Sequence, residues 1–172
     1  CITAKAVAAA LLSQLAATGL TDTQQLYRDM LQPVGFSARW KCVWTDGGCR
    51  DPTIATVSMA SAAAWFGPAS AFNTGFLLKG PLQSIQRAEL EAALFALLMV
   101  TAPLVIITDS QYVYMGVKAL IDQAPETLDT CTNRSFNNHR DAWQLMLDII
   151  LERGRGHTCI RHVNSHLDTS DI

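Results

Sequence analysis

Asp46 in Thr45-Asp46-Gly47-Gly48, Glu89 in Arg87-Ala88-Glu89-Leu90 and Asp109 in Thr108-Asp109-Ser110 are the side chains of this 172-residue sequence with the most chemistry to offer. Taken singly, an Asp before Gly or Ser is the usual turn or helix-cap residue. Brought together, three carboxylates raise one another's pKa and repel unless divalent cations neutralise them. Hard oxygen ligands of this kind suit Mg2+, with Mn2+ as an alternative. Two such ions about 4 Å apart can activate a water and stabilise a leaving oxygen in phosphodiester hydrolysis. Glu91 competes with Glu89, but two residues along a helix is about 200° of rotation, so only one of the two can face such a site. His162 and His166 have the i, i+4 spacing of a zinc pair, which converges only on a helix, whereas a strand passing into a loop is expected there.

Whether the carboxylates meet depends on the elements that carry them. Residues 3–32 read as a helical extension, with Gly19 as a stop, Thr21-Asp22-Thr23 as a cap and Pro33 as the close. From Arg39 the character changes. Trp40–Thr45 reads as a strand followed by the turn residues Asp46-Gly47-Gly48, and further strands are expected over Thr56–Phe66 and Phe76–Lys79, giving an antiparallel meander. Gln86–Val100 is rich in Ala, Leu, Glu and Met with no internal Gly or Pro, which predicts a helix. Leu104–Ile107 is a short continuous apolar run, as in a strand buried on both faces. A helix from Ser110, a polar connection through Pro125 to Asn138, a helix over His139–Arg153 and a last strand near Thr158–Val163 complete the order. The fold class is α/β: a mixed five-stranded sheet, three strands antiparallel and then parallel ones, flanked by helices. Residues 1–36 form the extension and 37–172 the domain. This order sets Asp46 and Asp109 at strand ends and Glu89 in the first turns of a helix, at one edge of the sheet.

Composition limits the classes open to the chain. Hydrophobic residues make up 49% and charged ones 16%, as in a packed globular domain. The most apolar stretch, Ala92–Ile107, is broken by Pro103 and is too short to span a bilayer, so no membrane role is expected. Five cysteines without a C-x-x-C pair disfavour a zinc knuckle or disulfide framework and point to a reducing, intracellular compartment, nuclear or cytoplasmic. The net charge of −2 lacks the basic excess common in nucleic-acid binders, although Arg153, Arg155 and Arg161 with His157, His162 and His166 make the C-terminal end locally basic, Arg155 and His157 reading most simply as a solvated turn. The sequence opens at Cys1 and reads as a piece of a longer protein.

Four segments together carry a resemblance. Val43–Cys49, Gln83–Leu90, Thr108–Val113 and His162–His166 resemble, in order, the motifs of type 1 ribonuclease H, and Trp65–Pro68 and Asp141–Gln144 are similar to the family too, so the likeness covers roughly residues 40–168. The resemblance implies a two-metal endonuclease that hydrolyses the RNA strand of an RNA–DNA hybrid, free-standing or as a module of a reverse transcriptase or retroelement polyprotein. It makes Asp46, Glu89 and Asp109 the metal ligands and His166 a loop histidine assisting proton transfer or product release. Gly47, Cys49 and Gln111 would then lie along the hybrid's minor groove, where 2′-hydroxyls distinguish RNA from DNA, and Ser84 would contact a DNA-strand phosphate.

Departures from the family pattern matter as well. Ile85 replaces an Asn that commonly reaches the nucleic acid. The connection Lys118–Asn138 holds only Lys118 and Arg134 as basic residues, where bacterial relatives carry a basic protrusion, so an adjoining domain or subunit is expected to supply hybrid affinity. The family's fourth carboxylate lies about ten residues beyond the last motif's histidine, past Ile172, with Asp168 and Asp171 as local substitutes. A fold that has kept its shape as a structural or interaction module and lost its chemistry is the alternative reading. Retention of three carboxylates favours the enzyme.

Overall fold

A computed structural model describes residues 40–51, 53 and 58–164. The expected helical extension over residues 1–36 lies outside the described residues, as do His166, Asp168 and Asp171. The strands are β1 (Lys41–Arg50), β2 (Met59–Trp65), β3 (Thr74–Leu77), β4 (Leu104–Thr108) and β5 (Thr158–His162). The helices are α1 (Ile85–Met99), α2 (Gln111–Asp122) and α3 (Arg140–Arg153), with single 3-10 turns at Leu128–Thr130, Arg134–Asn137 and Arg155–His157. The sheet runs β3-β2-β1-β4-β5, with β1–β2 and β2–β3 antiparallel and β1–β4 and β4–β5 parallel. This is the mixed sheet expected from the order of elements.

Two expectations need correcting. Asp46-Gly47-Gly48 is no turn: β1 continues through it to Arg50, because β2 pairs with it residue by residue, Asp46 with Ala63, Gly47 with Ala62 and Gly48 with Ser61. Gly47 and Gly48 are both absent from the glycines with positive φ, so the residue type answers to packing and not to a bend. Arg155, expected in a solvated turn, is half-buried and donates from Nη2 to the Pro125 carbonyl at 2.7 Å, tying the last 3-10 turn to the loop after α2.

The core forms where apolar periodicities meet. β4 is buried along its whole length, as its central place between two parallel neighbours requires. Helix α1, capped by Ser84, buries Ala88, Leu90, Ala92, Ala93, Leu94, Ala96 and Leu97, and its alanines let it lie close on β1 and β2. Arg153, the last residue of α3, donates to the carbonyls of Leu97, Val100 and Ala102, which lie at and just beyond the end of α1. Burial lowers its pKa, yet these acceptors suit a guanidinium.

On α2 the stripe Val113, Gly116, Val117 and Leu120 faces the core. Trp143 of α3 is fully buried against it, with the rings of Phe136 at 4.9 Å and Tyr112 at 5.4 Å. A methyl group on Gly116 would overlap the indole, with two further ring atoms at 2.6 and 2.8 Å. Gly116→Ala therefore sets a helix-propensity gain of about 1 kcal/mol against an overpacking cost of about 1–3 kcal/mol. We expect net destabilisation, read as a lower midpoint in chemical denaturation. An unchanged or higher midpoint would mean the Trp143 ring moves aside at little cost.

Candidate active site

The site begins with register. The parallel ladder between β1 and β4 ends at the pair Thr45–Thr108, so Asp46 and Asp109 are the next residues on neighbouring chains, with strands about 4.8 Å apart. Asp46 is exposed and still within β1, whereas Asp109 is half-buried and begins the turn into α2. That turn is built by hydroxyls. Thr108 Oγ1 accepts from the Ser110 amide at 3.1 Å, and Ser110 Oγ caps α2 by accepting from the Val113 amide at 3.3 Å. On the far side His162, at the end of β5, lies 3.1 Å through Nε2 from the Asp109 carbonyl, and the Val163 amide donates to the Thr108 carbonyl at 3.0 Å.

Glu89 reaches this edge from α1. The approach is possible because residue 47 is a glycine: a Cβ there would land on the Glu89 backbone nitrogen, 2.7 Å from Glu89 Cγ and 2.8 Å from the Ala88 carbonyl carbon. Glu89 is half-buried, and one of its carboxylate oxygens, Oε2, accepts a short hydrogen bond from Ser110 Oγ. Burial raises its pKa, the charges of Asp109 and Asp46 raise it further, and the Ser110 hydroxyl opposes them. Glu91 is held elsewhere, by Arg87 at 2.8 Å, and Arg87 also grips Asp141 of α3 at 2.7 Å. That bond holds the Asp141 carboxyl below its usual range.

Among the described residues, no three or more His, Cys, Asp or Glu side chains are gathered tightly enough to cage a metal ion. Asp46, Glu89 and Asp109 are electrostatic neighbours at one sheet edge. Their donor chemistry fits Mg2+, which keeps several waters and is ordinarily held by one or two carboxylates together with substrate phosphates.

The other expected contacts lie around this edge. Gly47 and Cys49 share a strand and alternate in step, so they share a face, and that of Gly47 is packed against α1. Cys49 Sγ is 3.7 Å from the Gln83 carbonyl. Ser84 caps α1, accepting from the Arg87 amide at 3.1 Å, with His139 Nε2 3.4 Å from its hydroxyl. Ser84 lies about 7.5 Å along the helix axis from Glu89. Gln111 is exposed at the start of α2.

Two residues were missed at the level of sequence. The Gln83 side chain accepts from the Ala60 amide at 2.7 Å and donates to the Gly80 and Leu78 carbonyls at 2.8 and 3.3 Å, fastening the β3 edge just ahead of Ser84. No sequence signal announces such a bridge. In sequence Ser110 reads as the start of the helix, with Asp109 as the possible cap; it is Ser110 itself that caps α2 and bonds to Glu89.

Comparison with known proteins decides the family. The family model described as RNase H matches residues 39–171. The chain belongs to the RNase H family. RNase H folds among solved structures match it at low identity. The solution structure of the PFV RNase H domain is 19% identical, with a TM-score of 0.53, covering 76% of this chain and 82% of that one. A foamy viral protease-reverse transcriptase in complex with dsDNA is 21% identical, with a TM-score of 0.50, covering 76% and 85%. Native Prototype Foamy Virus protease-reverse transcriptase is 20% identical, with a TM-score of 0.50, covering 74% of this chain and 18% of that one. At these identities the likeness is one of fold. No curated protein matches the chain.

Proposed function

We propose that the chain is a metal-dependent endonuclease that hydrolyses the RNA strand of an RNA–DNA hybrid. The observation that carries this reading is the delivery of Asp46, Glu89 and Asp109, from β1, α1 and the end of β4, to one edge of an RNase H sheet, with Gly47 giving α1 the room to come in. In this reading Asp46, Glu89 and Asp109 would hold Mg2+ together with the family's fourth carboxylate. Bound there, Mg2+ would supply the activation of water and the stabilisation of the leaving oxygen. The chain's own residues do the rest. Asp46 and Asp109 offer carboxylates from adjacent strands, and Ser110 keeps Glu89 turned toward them. Ser84, at the positive end of α1, contacts a DNA-strand phosphate, Gln111 and the Gly47–Cys49 segment front the minor groove, and His166 assists proton or product movement.

The net charge of −2 and the sparse basic residues of the connection Lys118–Asn138 support an adjoining domain or subunit as the source of much of the hybrid affinity. A nuclease module within a reverse transcriptase or retroelement polyprotein suits that arrangement, and the solved foamy viral proteins carry this fold as part of a longer chain.

Labelled RNA–DNA hybrid, RNA duplex and DNA duplex, each incubated at low salt with and without Mg2+, test the proposal. We expect cleavage of the RNA strand of the hybrid alone, and only with Mg2+. Cutting of the DNA duplex, or cleavage that persists in excess chelator, would overturn it.

A further inference from the structure

We infer that Ser110 is a positioning residue, whose hydroxyl holds Glu89 in the orientation that serves the metals. The inference deepens the hydrolase reading and rests on it. Ser110 is 5% exposed, and its amide and hydroxyl both have partners. Its amide is spent on Thr108 Oγ1 at 3.1 Å, and its Oγ accepts from the Val113 amide at 3.3 Å. A serine hydroxyl has one proton, and an ionised carboxylate has none to give, so in the contact between Ser110 Oγ and Glu89 Oε2 the serine is the donor. One carboxylate oxygen is thereby occupied, and Oε1 is left for other work.

Electrostatics explains why such a hold is needed. Asp46 and Asp109 both repel Glu89, and rotation of its side chain toward solvent would relieve that repulsion at little cost. Ser110 follows Asp109 directly, so the hydroxyl that retains Glu89 belongs to the same turn as the neighbouring carboxylate. The buried setting strengthens this charge-assisted bond. Helix α1 and the end of β4 become one unit with respect to the site, and the rigid start of α2 sets the spacing.

Variants can separate the hydroxyl's two duties. Ser110→Gly keeps most of the capping preference and loses the donor, Ser110→Ala loses both, and Ser110→Thr keeps both. Three quantities are to be measured: Mn2+ affinity by titration followed by electron paramagnetic resonance, thermal melting, and kcat and KM on hybrid. For Ser110→Gly we expect melting close to that of the parent, Mn2+ affinity weaker by about tenfold, kcat lower by about 10- to 100-fold and an unchanged KM, as for loss of an outer-shell partner of a metal ligand. Ser110→Thr should restore most of both quantities. If neither Gly nor Ala folds, Ser110→Cys, which keeps the volume and donates weakly, takes their place with the same expected loss. Unaltered Mn2+ affinity in a folded hydroxyl-free variant would overturn the inference, as would a Thr variant as impaired as Gly. An unmutated chain that binds Mn2+ through Glu89 and yet cleaves no hybrid would sink the hydrolase reading alone, because the Mn2+ comparison still reports on Ser110.

Discussion

Asp109→Asn is expected to reduce Mg2+-dependent cleavage of the hybrid by about a thousandfold while leaving the domain folded, because it removes a ligand's charge and keeps its shape. Glu89→Gln should fall as far, whereas Glu91→Gln should be near normal, since Glu91 is engaged with Arg87 on a different side of α1. Cleavage assays paired with melting curves decide it, and an active Glu89→Gln beside an inactive Glu91→Gln would place the wrong face of α1 at the site. The Glu89 substitution also carries a pH signature. The folded-state pKa of Glu89 is raised, by burial first and by Asp109 and Asp46 next, so ionising it costs the metal-free fold stability. That penalty is fully present above the folded pKa and disappears as pH falls below the unfolded value of about 4.3. Metal-free Glu89→Gln should therefore melt higher than the parent at neutral pH, with the gap closing in acid. A gap that widened in acid would have the wrong sign.

Gly47→Ala is expected to cripple the site through geometry, without touching any charge. The added methyl meets the backbone of α1 at Ala88 and Glu89, and backbone cannot step aside as a side chain can. The helix must back away from β1, at an overpacking cost of about 1–3 kcal/mol. A displacement of about 1 Å at a reacting site costs on the order of a hundredfold in rate. Activity should thus fall by about two orders of magnitude, with a lower denaturation midpoint. A fully active Gly47→Ala would show that α1 does not set the position of Glu89.

How much of this was legible beforehand can be argued from particular residues. The apolar run Leu104–Ile107 and the unbroken helix formers of Gln86–Val100 have strong local patterns, and the structure places β4 and α1 within a residue or two of them. Gly47 and Gly48 misled, because glycine marks both a turn and a close approach, and only the partner surfaces of α1 and β2 decide between the two. The carboxylate trio could be named from motifs. The bond from the Ser110 hydroxyl to Glu89 joins residues distant in sequence, as does the Gln83 bridge between β2 and the loop after β3, and such links arise only when the sheet is assembled. Arg155 was misjudged for a similar reason, since its carbonyl partner lies 30 residues earlier.

Arg153 holds the ends of two helices with one side chain. The C-terminal carbonyls of α1 and the last turn of α3 meet at its guanidinium, where no basic residue of α1's own last turn is present to serve them. Fraying of α1 from that end would strip a half-buried cation of its acceptors, and loosening of the α3 end would remove the cation from α1. The two ends therefore open together, as one cooperative unit of local unfolding. Glu89 accordingly sits on a helix fastened both near the site and at its far end, and its carboxylate inherits the stability of the core rather than that of a surface helix.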